Sequence, residues 1–348
     1  MKVKYILVIS FLVLFSCSKK VDFKATFQKI NVEILHEESI SSRAILIDKD
    51  LLWYAGNNGK YGSINLNDRV RCGGYIEIDS LKPEFRSIAQ TQENIFFLSV
   101  SNPALLIRIN KETKDLKLVY KENHEKVFYD SMQFLDEKFG IAMGDPINNC
   151  LNIITTNDGG ENWHKIPCNN LPNVIDGEAA FAASNTNLIL RGNSIFIVSG
   201  GIKSRVFVSK NKGNSWNVFN TPIIQGKAMT GIFTADFYDE NIGAIAGGNY
   251  EDQNDNSSNK AITIDGGKTW KLIAQNEGFG YASCIQFVPN KKGNELVCVG
   301  GTGVHYSYDR GESWVKMLED NDLLTLRFIN DNSAIATGKN RIIKLNFQ

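Results

Sequence analysis

Three arginines, three carboxylic acids and one tyrosine carry the chemistry that a binding or catalytic site in this chain would use: Arg43, Arg86, Arg205, Asp130, Asp145, Glu178 and Tyr250. Arginine offers a planar, two-pronged donor that matches a carboxylate or similar anion, and carboxylates beside it would hold hydroxyls or amines. The same set permits hydrolysis. A glycosidase needs two carboxyls roughly 5–9.5 Å apart, or a tyrosine nucleophile with a carboxylate, and Asp130, Glu178, Asp145 and Tyr250 are the candidates. Other chemistries find less support. The 4 histidines (His36, His124, His164 and His305) are scattered and no CxxC or HExxH spacing occurs, so no metal site is predicted. Gly301-Thr302-Gly303 runs into Val304-His305-Tyr306 without the strand–helix setting of a phosphate loop, and no cofactor is expected. With 38 basic and 38 acidic residues the formal net charge is zero, which gives no reason to expect a nucleic-acid partner.

These residues are far apart in sequence, so a repeat must bring them together. Four segments share the pattern Ser/Thr-x-Asp/Asn-x-Gly-x-x-Trp, beginning at Thr156, Ser209, Thr263 and Ser307. Their starts differ by 209 − 156 = 53, 263 − 209 = 54 and 307 − 263 = 44 residues, the period of a propeller blade of four strands. Within each segment the short acceptor (Asp158, Asn211, Asp265 or Asp309) is expected to bond backbone N–H groups two residues on. The glycine (Gly160, Gly213, Gly267 or Gly311) supplies positive φ. The tryptophan (Trp163, Trp216, Trp270 or Trp314) buries its ring between blades. These twelve residues are therefore assigned a structural role, in hairpins between the two outer strands.

The same strand–glycine–strand unit recurs without the motif in Leu52 to Gly56 with Gly62 to Leu66, in Ile95 to Val100 with Leu105 to Asn110, and in Ser333 to Gly338 with Arg341 to Phe347. Together with the four motif-bearing units this predicts an all-β, seven-bladed propeller over residues 30–348. The last unit lacks its outer strand, and Asn31 to Leu35 alternates like one, so the N-terminal strand is expected to close the last blade. Such a fold sorts loops by face. Arg43, Arg86, Asp130 and Glu178 sit at the entries of innermost strands, and Asp145, Arg205 and Tyr250 in or beside second-to-third-strand loops. All seven then ring one mouth of the central channel, opposite the tryptophan turns. Mutual ion pairing that merely stiffens the mouth is the competing account. Phe128-Tyr129 is read as blade packing, and the polar run Glu251 to Asn259 as a solvated loop.

On the four turn motifs, and on Phe139-Gly-Ile-Ala-Met-Gly-Asp-Pro146, Glu178-Ala-Ala-Phe-Ala-Ala-Ser184, Ser199-Gly-Gly-Ile-Lys-Ser-Arg-Val206 and Thr230-Gly-Ile-Phe233 with Gly247-Gly-Asn-Tyr250, the chain resembles the BNR/Asp-box propellers. Within these it is most similar to the photosystem II stability/assembly factor-like branch, which also occurs in non-photosynthetic bacteria. The resemblance covers nearly all of the mature chain and implies an assembly or stability factor; with the charged mouth, it points to a binding or assembly module that holds an anionic ligand, a peptide or a partner protein there. Because sialidases share Asp boxes and use an arginine cluster, a sialidase-like glycoside hydrolase at the same mouth is the alternative. Against it, Arg43 is followed by Ala44-Ile45 and lacks the Arg-Ile-Pro signature of sialidases.

The N-terminus addresses the chain to the cell envelope. Met1-Lys2-Val3-Lys4, the apolar run Tyr5 to Phe15 and Leu14-Phe15-Ser16-Cys17 read as a lipoprotein signal peptide (1–16) with lipidation at Cys17. Residues 17–29 form the lipidated tether and the membrane is a partner through the lipid, on the periplasmic face or the cell surface. Of the other cysteines, Cys72, Cys284 and Cys298 are expected as free thiols, with Cys150–Cys168 the one candidate bridge.

Overall fold

The computed structural model describes residues 23–348; the signal peptide, Cys17 and the first part of the tether lie outside the described residues. The described chain is an all-β propeller with one short 3-10 turn, Cys168–Asn170. Inner and middle strands such as Asn94–Ser99 and Ser194–Val198 are apolar and almost wholly buried, because each sheet is sandwiched between two others. Outer strands such as Leu116–Glu122 alternate with lysines and glutamate and stay largely open to solvent. This gradient is what a radial stack of sheets requires.

The strands assemble into six hydrogen-bonded sheets, so counted by sheets the propeller has six blades, not the seven predicted. The difference lies at the closure. The units expected as separate first and last blades are one six-stranded sheet, because Ile30–Asp48 is a single unbroken strand of 19 residues. Its first part pairs with Ser333–Phe347 (Ile30 opposite Phe347, Ile34 opposite Ile343) and its second part with Leu51–Gly56. A repeat count cannot see that two repeats share a strand. A second six-stranded sheet arises where Glu178–Ala179 and Gly200–Gly201 extend the sheet that contains Thr230–Phe237.

A bulge marks the innermost strands. In Ile30–Asp48, Ser42 pairs with Gly56 and Ala44 with Ala55, which leaves Arg43 as the extra residue. The same shift leaves out Arg86, Asp130, Phe233, Ser283 and Leu324 in their strands. A bulge bends the strand and re-aims the residue it carries, and here it does so at the same level in every case.

The tryptophan turns are built differently from the expectation. The carboxylate or amide oxygen accepts from the N–H four residues on, not two: Asn162 N–H to Asp158 at 3.0 Å, Thr269 N–H to Asp265 at 3.0 Å and Ser313 N–H to Asp309 at 2.9 Å. The Ser/Thr hydroxyl takes the glycine N–H, as in Gly267 to Thr263 at 3.0 Å. Gly160, Gly213, Gly267 and Gly311 have φ between 80° and 87°. Trp216, Trp270 and Trp314 donate Nε1–H to the carbonyl of their own turn glycine, whereas buried Trp163 packs edge-on against Phe96 and Phe134 with its N–H unpaired. Cys150 and Cys168 form a disulfide and Cys72, Cys284 and Cys298 are free.

Candidate functional site

The bulged strands open on a cavity of about 380 Å³ lined by Arg43, Arg86, Asp145 and Tyr250, together with Phe128, Phe233 and Tyr281 and the alanine-rich segment 179–183. It lies at the entry ends of the inner strands. Their far ends, at Asp48, Gln90 and Phe134, meet a different depression, and the turn Asn157 to Gly159 lines a third beside Gln92 and Glu137. The cavity and the tryptophan turns are thus on opposite faces.

Its floor is a stretch of chain that crosses the channel. The inner strand of its repeat is only Leu188–Arg191, and residues 183–187 instead reach across the axis. Asn185 donates to Ile88 O at 2.9 Å and accepts from Met132 N–H at 2.9 Å. Ser184 donates to Ser283 O at 2.6 Å, and its own carbonyl accepts from Thr325 Oγ1 and Arg327 Nη2 at 3.3 and 2.9 Å. Thr186 meets Thr234 at 2.7 Å. Every buried polar group in this segment needs a partner, and the inner strands around the ring supply them. The crossing segment separates the cavity from the channel on the other side, where Asn185 and Arg327 line a second hollow.

Of the seven residues singled out from sequence, the structure gathers four in the cavity and separates three. Arg43 donates from Nη1 to Ala183 O at 3.1 Å and, among the described residues, forms no ion pair. Burial holds its pKa below the usual arginine value, and the nearby Arg86 cation adds to the effect. Arg86 is paired with Glu84 through Nε and Nη2, both at 2.7 Å, and lies 6.0 Å from the Phe128 ring centroid. Asp145 accepts from Ala180 N–H at 2.8 Å, and burial raises its pKa to about 6. Tyr250 is 38% exposed and stands edge-on to Tyr281, with ring centroids 5.1 Å apart.

Asp130 does not reach the cavity surface. It is fully buried behind Arg86 and Asp145, neither carboxyl oxygen has a hydrogen-bond partner, and desolvation, then the Asp145 charge, push its pKa well up. Two carboxyls so placed do not both ionise cheaply, and the more deeply buried Asp130 carries the larger upward push. Glu178 and Arg205 satisfy each other: Glu178 accepts from Arg205 Nε at 2.9 Å and from its Nη2, from Ser199 Oγ at 2.5 Å and from Ile175 N–H at 3.0 Å. Glu178 is not at the entry of an inner strand as expected; with Ala179 it forms a short bridge to Gly200–Gly201. Among the four candidate hydrolytic groups, Asp145 and Tyr250 alone line the cavity, so of the two glycosidase arrangements the carboxyl pair is not assembled there, whereas a tyrosine and a carboxylate do share it.

The sequence reading missed the aromatic wall. Phe181 and Phe233 stack with centroids 3.9 Å apart, Tyr281 stands edge-on to Phe233 at 4.9 Å, and Phe128, read as packing, lines the cavity. The signal was available for Phe233, which occupies in its repeat the position that Arg43 and Arg86 occupy in theirs. Among the described residues no cluster of three or more metal-ligating side chains is present.

No family model matches the chain, and no curated protein matches it. Solved structures do. YCF48 bound to D1 peptide is 14% identical over 93% of this chain and 98% of its own, with a TM-score of 0.66. YCF48 from Cyanidioschyzon merolae is 12% identical over 92% and 99%, with a TM-score of 0.63. The WD40 repeats of RRP9 are 10% identical over 92% and 100%, with a TM-score of 0.67. At such identities the likeness is one of fold: a β-propeller like that of YCF48.

Proposed function

We propose that this chain is a binding or assembly module of the cell envelope, a lipid-anchored member of the Asp-box propellers that holds an anionic ligand, a peptide or a chain terminus of a partner protein at the arginine-lined cavity. The observation that carries this reading is Arg43: a partly buried guanidinium with one neutral hydrogen bond and, among the described residues, no ion pair, facing a cavity walled by rings. A buried cation without a counter-charge is costly, and an incoming carboxylate offsets that cost with a two-pronged hydrogen bond. The peptide-bound YCF48 structure supports a peptide among the candidates.

The anchor is compatible with this use. Thr26 donates from its N–H to Tyr306 Oη at 3.0 Å and Phe27 packs on Tyr306 and Phe347, at the end of the blades where the tryptophan turns lie. A lipid on Cys17, nine residues before Thr26, would sit within about 30 Å of that face at full extension. The cavity would then point away from the bilayer.

The test uses the soluble domain and fluorescent peptides with either a free or an amidated C-terminus. Preference for the free carboxylate, lost in Arg43→Ala and Arg86→Ala variants that still fold, supports the reading. Equal binding of both peptides, or binding unchanged in both variants, overturns it. Metabolic lipid labelling of wild type against Cys17→Ala tests the anchor separately, and equal labelling refutes it.

A further inference from the structure

The cavity holds two unmatched charges of opposite sign. Among the described residues Arg43 has no carboxylate partner and Asp145 no cation: one of its oxygens accepts the Ala180 N–H, and no ion pair reaches either. The two line one cavity without bonding each other. Arg86 does not resolve this, because two of its nitrogens are taken by Glu84. The remaining wall is apolar: the stacked Phe181–Phe233 pair, Tyr281 and Met229. At about 380 Å³ the space is at the small-molecule end of ligand sites, which run from about 300 to 1,000 Å³.

We infer that the cavity is a receptor for a zwitterion, a free amino acid with an apolar or aromatic side chain, its carboxylate on Arg43 and Arg86, its ammonium on Asp145 and its side chain against the ring wall. The inference rests on the anion reading above and narrows it, because a peptide C-terminus presents the carboxylate without an ammonium on the same carbon. One small ligand then answers both unmatched charges. A simple anion answers one and leaves Asp145 as it is. Fixed groups of both signs in one site reject analogues lacking either partner, since the unmatched buried group is left unpaired.

Calorimetric titration of the folded soluble domain at pH 7.5 with L-phenylalanine, 3-phenylpropanoate and L-phenylalanine amide separates the possibilities. The expected result is that L-phenylalanine binds and that each analogue binds at least about tenfold more weakly. In Asp145→Asn, L-phenylalanine falls to the level of 3-phenylpropanoate, whereas 3-phenylpropanoate is unaffected or improved. If 3-phenylpropanoate binds wild type as tightly as L-phenylalanine, the zwitterion inference is overturned and the anion reading stands. If L-phenylalanine, L-tyrosine and L-leucine all fail to bind at millimolar concentration, the inference is overturned, and the peptide arm above decides the anion reading independently.

Discussion

Gly56 lies across the first two strands from the bulge that carries Arg43, and a methyl group at Gly56 would stand 2.5 Å from Ser41 O. The same holds at Gly144 opposite the Asp130 bulge, where Phe128 O would be 2.1 Å away, and at Gly247, where Gly231 O would be 1.9 Å away. These glycines lie in second strands opposite the bulges, where only a residue without Cβ lets the bulged inner strand come this close. The nearest obstacle is backbone in each case, joined at Gly56 by the Ile40 side chain at 2.6 Å. Gly56→Ala is therefore expected to cost about 1–3 kcal/mol, the range for overpacking a tight site, and to lower affinity at the cavity by displacing Arg43. Urea unfolding and ligand titration of the same variant measure both. Full stability with wild-type binding would mean that the bulge does not set the arginine.

That geometry also explains what could be read in advance. The strand–glycine units and the four turn motifs gave the all-β propeller, and Arg43 and Arg86 at the entries of inner strands, with Asp145 and Tyr250 beside second-to-third-strand loops, fell on one face. The aromatic wall was not legible. Phe233 looks like any apolar strand residue until the bulge turns it to the mouth, and Tyr281 stands just before its inner strand, Ala282–Phe287. Nor was the crossing segment, because Glu178 to Asn187 has the length and composition of a strand, and only its tertiary partners (Ile88, Thr234, Ser283 and Thr325) show that it spans the channel. Glu178 and Arg205 were assigned by position, whereas their mutual contact removes them from the site. The shared strand Ile30–Asp48 has no sequence mark at which one sheet would end and another begin.

The Glu178–Arg205 pair separates structure from binding. Glu178 is wholly desolvated at its carboxylate and holds Arg205 through two bonds. Removing one partner of a buried pair leaves the other uncompensated, at about 3–5 kcal/mol. Glu178→Gln is expected to lower the unfolding free energy by an amount near the low end of that range, since Ser199 and Ile175 can still bond the amide. Ligand affinity of the folded fraction stays within about twofold of wild type. A stable variant that has lost binding would return Glu178 to the site.

Trp163 tests the opposite face. It is 5% exposed between Phe96 and Phe134. Trp163→Ala is expected to cost about 3–5 kcal/mol, with affinity at the cavity retained in the folded protein. Thermal unfolding beside titration at low temperature decides it, and a loss of affinity at unchanged stability would place the site among the turns.

Acidity acts on this molecule through Asp145 and Asp130. Both have folded-state pKa values above the ordinary carboxyl value, Asp145 at about 6. The folded state therefore holds protons that the unfolded state has released. The stabilising contribution of Asp145 is fully present below about pH 4 and is lost as pH rises through about 6, and that of Asp130 runs in the same direction. Asp136 and Asp265 oppose this at lower pH, since backbone N–H bonds and, for Asp136, Lys212 hold them at about 2. Their contribution is present above the ordinary carboxyl range and fades towards pH 2. Asp145→Asn removes one of the first pair alone. The difference in unfolding free energy between variant and wild type is expected to grow in favour of the variant from pH 4 to pH 7, by up to about 3 kcal/mol for a shift of this size. Urea titrations at four pH values measure it. A difference that does not change with pH would show that Asp145 titrates as an ordinary surface carboxyl.

The cysteines give a chemical check on the fold that needs no ligand. Cys150 and Cys168 are bridged across 18 residues, Cys72 is exposed, and Cys284 and Cys298 are buried between sheets. In the native protein an alkylating reagent without reductant should modify Cys72 quickly and leave Cys284 and Cys298 untouched, since access and thiolate character together set the rate. Burial works the same way on both counts for Cys298, whose pKa it pushes well above the usual thiol value. Denaturation should then expose two further thiols in residues 23–348, and reduction two more. Closing a loop of about this length is worth roughly 3 kcal/mol in the chain-entropy account. Reduction should therefore lower the unfolding midpoint without changing the reactivity of Cys284 at room temperature. Mass spectrometry of the alkylated peptides reads each site separately. Rapid native labelling of Cys284 or Cys298 would contradict the packing of the inner strands against one another, on which the cavity and its floor depend.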